Sequence, residues 1–159
     1  MRLTTWKVNT ASSTIRVTIE PYSRTVMLRN WFTKKLTPLS GSPTVRRLKI
    51  YPARTGYVYH YFFEGHRPLV AGGGEGTEFV FSISADGKAF HPASVYLPLA
   101  ALDGWEQARE RRLAHNERYA VAKLALFQAF DERPLPADLH APVQVRPADV
   151  DAIIEMLGL

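Results

Sequence analysis

The sequence predicts an α+β protein: a mainly antiparallel sheet of about six strands in the N-terminal two-thirds, packed with two to three C-terminal helices. Two rhythms support this, because apolar residues alternate with period two through about Leu97 and recur near a period of 3.6 from Pro98 onward. Size is the third observation. With 159 residues, 46% of them hydrophobic, the chain suits a single domain over 1–159, sheet-rich over 1–97 and helical over 98–159.

Residues 14–20 place Ile15, Val17 and Ile19 on one side and Arg16, Thr18 and Glu20 on the other, as in a half-buried strand. Pro21-Tyr22-Ser23 breaks the run, and residues 24–32 resume it as the second arm of a hairpin. Residues 34–43 are dense in turn formers and read as a loop. Strands follow over 45–51 and 57–63, joined by the short connection Pro52-Ala53-Arg54-Thr55-Gly56. In the second of these Tyr57, Tyr59, Tyr61 and Phe63 share one face, and Val58, His60 and Phe62 the other. A glycine-rich loop over 71–76 leads to a strand over 78–84 with Phe79, Phe81 and Ile83 inward. Asp86-Gly87 signals a tight hairpin turn, and the partner strand over 88–97 carries Pro92, which marks a bulge or a sheet edge.

From Pro98, placed as a first helical residue, Leu99, Leu102 and Trp105 form the inner stripe of a helix to about 113. Arg109, Arg111 and Arg112 suit the negative end of its dipole. Asn116 is the expected cap of a second helix over 117–130, which from Tyr119 onward is apolar nearly all round, with Lys123 and Gln128 the only polar interruptions. Such a helix belongs at the buried centre of the fold. Asp131 and Glu132 sit where the dipole disfavours negative charge, so the corner they form with Phe130 and Arg133 is expected to dock on basic groups of the sheet. Residues 134–142 form a proline-punctuated connector, 143–145 a short strand, and 147–157 a last helix with Val150, Ile153, Ile154 and Leu157 inward and Gly158 at its end.

Charge is unevenly spread. Residues 1–70 carry 12 Lys and Arg against 2 acids, or +10, and residues 71–159 carry 8 against 13, or −5. A basic first half suits an anionic partner, nucleic acid among the candidates, unless the two halves neutralise each other where they pack. The absence of cysteine excludes disulfides, thiolate metal sites and cysteine nucleophiles. The first residues lack the apolar core of a secretory signal and no run approaches a membrane span, so the expectation is a cytoplasmic protein without a membrane partner.

The most suggestive constellation is Tyr57, Tyr59 and Tyr61 beside Arg47 and Lys49 on the preceding strand, rings for stacking next to cations for phosphates. The competing reading turns these tyrosines into the core with their hydroxyls at its rim. His60, Glu64 and His66 have no recognised metal-ligand spacing, and converge only if the strand bends sharply. The glycine run lacks the Gly-Lys-Ser/Thr of a phosphate loop, and His91, His115 and Asp103 stand without a nucleophile signature. No cofactor or metal is therefore expected. The sequence favours a binding or assembly module, homodimeric in one version, over an enzyme; the alternative is a small hydrolase of ribonuclease type that uses His60 or His66.

Overall fold

The computed structural model describes residues 37–69 and 74–159. The strands expected over 14–20 and 24–32 and most of the glycine-rich loop lie outside the described residues. Within them, β1 (Lys49–Pro52), β2 (Val58–Pro68), β3 (Gly76–Ser84) and β4 (His91–Pro98) form an antiparallel meander. A fifth strand, β5 (Val143–Gln144), joins the outer side of β4 in parallel. The α+β class holds, but the described sheet is mixed and five-stranded rather than mainly antiparallel and six-stranded. The cause is the helical crossover between β4 and β5, which returns the chain in the direction it left.

β1 starts four residues later than the alternation suggested. Ser40 forms an isolated bridge with His66 of β2, and Lys49 pairs with Tyr61, so nine steps of chain (40 to 49) face only five of β2 (61 to 66). The surplus cannot stay in the ladder, and residues 41–48 leave it as an exposed loop. β2 in turn runs five residues past Phe63, through a bulge between Phe63 and Gly65. Gly65 has φ +146°, and a Cβ there would lie 2.7 Å from the Ser40 carbonyl oxygen. Only glycine meets both demands.

Helix α1 (Leu99–Ala108) ends before residue 113 and follows Pro98, which is its cap rather than its first turn. Arg109 and Arg111 place their guanidinium groups 5.5 and 5.7 Å from the Trp105 ring centre. α2 (His115–Glu132) begins two residues early, because Ala114 takes the cap position and its N–H donates to the Glu117 carboxylate at 2.8 Å. Asn116 lies inside the helix and caps nothing. A 3₁₀ turn, Pro136–His140, occupies the connector and buries Leu139. α3 (Pro147–Leu157) matches expectation, ending at Gly158 with φ +70°. The Asp86 carboxylate gathers the Ser84 hydroxyl and the N–H groups of Lys88 and Ala89 at 2.8 to 2.9 Å. That longer turn delays β4 to His91. Pro92 stands where β5, paired only at Val95 and Tyr96, leaves β4 without an outer neighbour among the described residues.

α2 lies at the centre, as its composition requires, and no residue from 117 to 131 is exposed. Its Phe130 stacks on Tyr59 at 4.2 Å and 7°, and its Phe127 on Tyr51 at 4.2 Å and 18°. At the end of this seam the Asp131 carboxylate accepts the Tyr51 hydroxyl at 2.9 Å and the Arg54 backbone N–H at 2.8 Å. The helix corner thus docks on the sheet, through a tyrosine and a backbone amide more than through the exposed Arg54 side chain. Arg133 instead donates to the carbonyls of Asp138, Ala141 and Pro142.

Removing Asp131 strands the Tyr51 hydroxyl and the Arg54 amide together. Asp131→Ala is expected to cost about 1.5–3 kcal/mol, the range for hydrogen bonds to a charged group. The thermal midpoint should fall by several degrees; an unchanged midpoint would count against the docking role. Gly65→Ala should cost about 1–3 kcal/mol through strain at a glycine-only conformation, read from denaturant midpoints.

Candidate anion-binding groove

The two faces of β2 have different fates, and the expected site divides between them. Tyr59 and Tyr61 are 0% and 4% exposed and face α2, and Tyr57 is half-buried beside Tyr59. The condition for a broad stacking platform, tyrosine rings open to solvent, is not met. Burial raises the pKa of both Tyr59 and Tyr61, so both phenols remain protonated at neutral pH. The Tyr59 hydroxyl is not at the core's rim either, being buried without a hydrogen-bond partner among the described residues.

His60 points to the opposite face, in register with Ile50 and Ser84. His66 would share that face by alternation, but the extra residue at the Gly65 bulge turns it to the helix side, in register with Phe79. Its ring centre lies 4.3 Å from that of His115 on α2. Glu64 stays on the outer face, taking the Ser82 hydroxyl at 2.7 Å and Arg46 at 2.9 Å. His60, Glu64 and His66 therefore do not converge, and among the described residues no three His, Asp or Glu side chains form a metal-binding group.

Arg47, Lys49 and Tyr61 do come together. Lys49 lies in register with Tyr61 on the helix-facing side. Along with Arg47, Pro43, Val45, Phe63 and Tyr119, these residues line a cavity of about 230 Å³ between the 43–49 segment and α2. The ring of Tyr119 meets that of Phe63 at 4.8 Å. One turn further along α2, Lys123 holds its ammonium 5.5 Å from the centre of the Phe127 ring. The Lys123 pKa is lowered, first by burial and then by the positive charge of Lys49. Among the described residues, Arg47, Lys49 and Lys123 have no carboxylate within 4 Å.

The wider charge asymmetry is only partly answered within the fold. Among the described residues two ion pairs join the basic and acidic parts: Arg67 with Glu78, at 2.6 Å on the outer face, and Arg54 with Asp131. Larger clefts of about 400 and 430 Å³ run along α1 and α3, but Arg109 faces Asp151 in both, so neither offers charge of one sign. Sequence reasoning missed Lys123 and Tyr119 as site residues. The available signal was Lys123 itself, a cation in an otherwise apolar helix.

Comparison with protein-family models, with curated proteins and with solved structures found no match to this chain. Among the described residues no helix is long and apolar enough to cross a membrane.

Two histidine pairs give the fold an acid sensitivity. His66 is held below the ordinary value of 6.5 by burial and by His115, and His91 by burial and by His140, whose ring centre is 4.4 Å away. A depressed folded pKa means that the unfolded chain binds protons first, so stability present at neutral pH declines as pH falls below 6.5. Thermal midpoints between pH 7.5 and 5.5 should drop, and the drop should be shallower in His66→Gln and His91→Gln. Parallel slopes in wild type and both variants would remove these histidines as the cause.

Proposed function

We propose that the protein is a binding module whose ligand is a small anion, or the anionic group of a larger molecule, held in the groove between residues 43–49 and α2. The observation that carries this reading is that Arg47 and Lys49, without a carboxylate partner among the described residues, line one cavity with the aromatic rings of Tyr61, Phe63 and Tyr119, while Lys123 adds its charge from α2 nearby. Like charges repel by an amount that an anion between them reverses, and partial burial strengthens both effects. The cavity volume suits a phosphate or carboxylate joined to a short apolar or flat portion. The ring surfaces of Tyr61, Phe63 and Tyr119 would receive that portion. The basic, aromatic surface expected from sequence thus contracts from an open sheet face to a groove. Nucleic acid remains a source of such anionic groups, but with Tyr59 and Tyr61 turned inward the stacking component loses its support. The alternative, a small hydrolase of ribonuclease type that uses His60 or His66, would have to work with one of these histidines alone, since the two lie on opposite faces of the sheet.

Pyrophosphate and adenosine monophosphate are suitable probes, titrated calorimetrically at two salt concentrations. Affinity should fall as salt rises, and Arg47→Ala and Lys49→Ala should each weaken binding about tenfold, equal to roughly 1.4 kcal/mol. Loss of affinity in Arg109→Ala but not in these variants would place the anion elsewhere and overturn the reading.

A further inference from the structure

The groove between residues 43–49 and α2 changes character along its length. Lys49 is in register with Tyr61, and the chain runs back from there to Ser40 while β2 runs on to His66, where the two are bridged. The cavity therefore has a charged end, formed by Arg47, Lys49 and Tyr61, and an apolar end, formed by Pro43, Val45, Phe63 and Tyr119. Tyr61 and Phe63 are two residues apart on one strand, which separates the two ends by about 7 Å. The volume, about 230 Å³, falls below the roughly 300–1,000 Å³ of pockets for drug-sized ligands. What fits is a group of one or two rings. Val45 lines this space and is still 66% exposed, so a ring laid on it would withdraw apolar surface from water.

The charged end lacks the backbone donors on which phosphate sites are commonly built. Among the described residues no glycine lines the cavity, Pro43 has no N–H, and α2 contributes Tyr119 of its second turn rather than its N-terminus. The donors are side chains: the planar fork of Arg47, the ammonium of Lys49 and the phenols of Tyr61 and Tyr119. Neither phenol has a hydrogen-bond partner among the described residues, and burial, which raises the pKa of both, keeps them protonated at neutral pH. A guanidinium fork, an ammonium and a phenol suffice for the two oxygens of a carboxylate. A doubly charged phosphate would lose more hydration between the same apolar walls and leave acceptor sites unfilled.

We propose that the groove takes a small aromatic carboxylate, its carboxylate meeting Arg47, Lys49 and the Tyr61 hydroxyl, and its ring lying between Pro43 and Val45 on one side and Phe63 and Tyr119 on the other. This rests on the anion-binding reading of the groove and deepens it by naming the ligand class.

The test is calorimetric titration of the full chain at pH 7.5 with benzoate, acetate, benzamide, phenyl phosphate and pyrophosphate. Benzoate should bind at least about tenfold more tightly than acetate, which lacks the ring, and than benzamide, which lacks the charge. It should also bind more tightly than phenyl phosphate. Tyr61→Phe should weaken benzoate binding about tenfold, the loss of one hydrogen bond to a charged group, and leave the thermal midpoint in place, because that hydroxyl holds no other residue. Val45→Ser, in the exposed loop, should weaken benzoate several-fold and leave pyrophosphate unchanged. Tighter binding of phenyl phosphate than of benzoate overturns the carboxylate in favour of a phosphate ester. Equal affinity for acetate and benzoate, with pyrophosphate still bound, overturns the aromatic class while the anion groove stands. Benzoate binding that neither variant alters places the ligand elsewhere and overturns the proposal. Binding of none of these anions removes this proposal and the anion groove together.

Discussion

The aromatic seam between α2 and the first two strands is the constraint on which the other features depend. Tyr51, Tyr59, Tyr61 and Phe63 from the sheet meet Phe127, Phe130 and Tyr119 from the helix in alternating stacked and edge contacts. Each such pair contributes about 0.5–1.5 kcal/mol beyond its buried area, and each prefers a limited set of angles. The seam therefore fixes the rotation of α2 about its axis as well as its distance from the sheet. Residues 115, 119, 123, 127 and 131 follow one another at four-residue spacing on the side so fixed. Once Phe127 lies on Tyr51, Lys123 has to stand near Lys49, and Asp131 near the Tyr51 hydroxyl.

A second constraint is the bulge at Gly65. Without it, the strand's parity would place His60 and His66 on one face. With it, His66 joins the helix side and meets His115, while His60 stays opposite. Gly65 in the bulge lets the Ser40 backbone approach closely, and the surplus of chain between Ser40 and Lys49 leaves residues 41–48 outside the ladder. Arg47 belongs to that loop and lines the cavity beside α2.

Much of this was legible in the sequence, and the limits have physical causes. The alternation from Tyr57 to Phe63 separated the two faces of β2 without saying which is buried, and the all-round apolar character of α2 placed it at the centre. Both are signals carried within a few residues by burial itself. The Gly65 bulge has a local signal, a glycine just past the strand pattern, but the alternation itself ends at Phe63 and carries no sign of the change of parity. The start of β1 depends on the match of lengths between Ser40–His66 and Lys49–Tyr61 pairing, which no local pattern encodes. Convergence of Lys49 with Lys123 spans 74 positions (123 − 49), and only the docking of helix on sheet determines it.

Lys123 breaks a local rule at a position where the rule is otherwise strict. A leucine or methionine there would extend the seam without desolvating a charge, and the cation–π contact with Phe127 returns only about 0.5–2 kcal/mol. Asp131, two turns further along the helix, is bound to Tyr51 and Arg54. Burial, and then the positive charge of Lys49, lower the proton affinity of Lys123. Local conflicts of this kind, embedded in an otherwise consistent core, concentrate where a site requires them. On the anion-binding reading, an anionic group beside Arg47 and Lys49 would turn that like-charge repulsion into attraction.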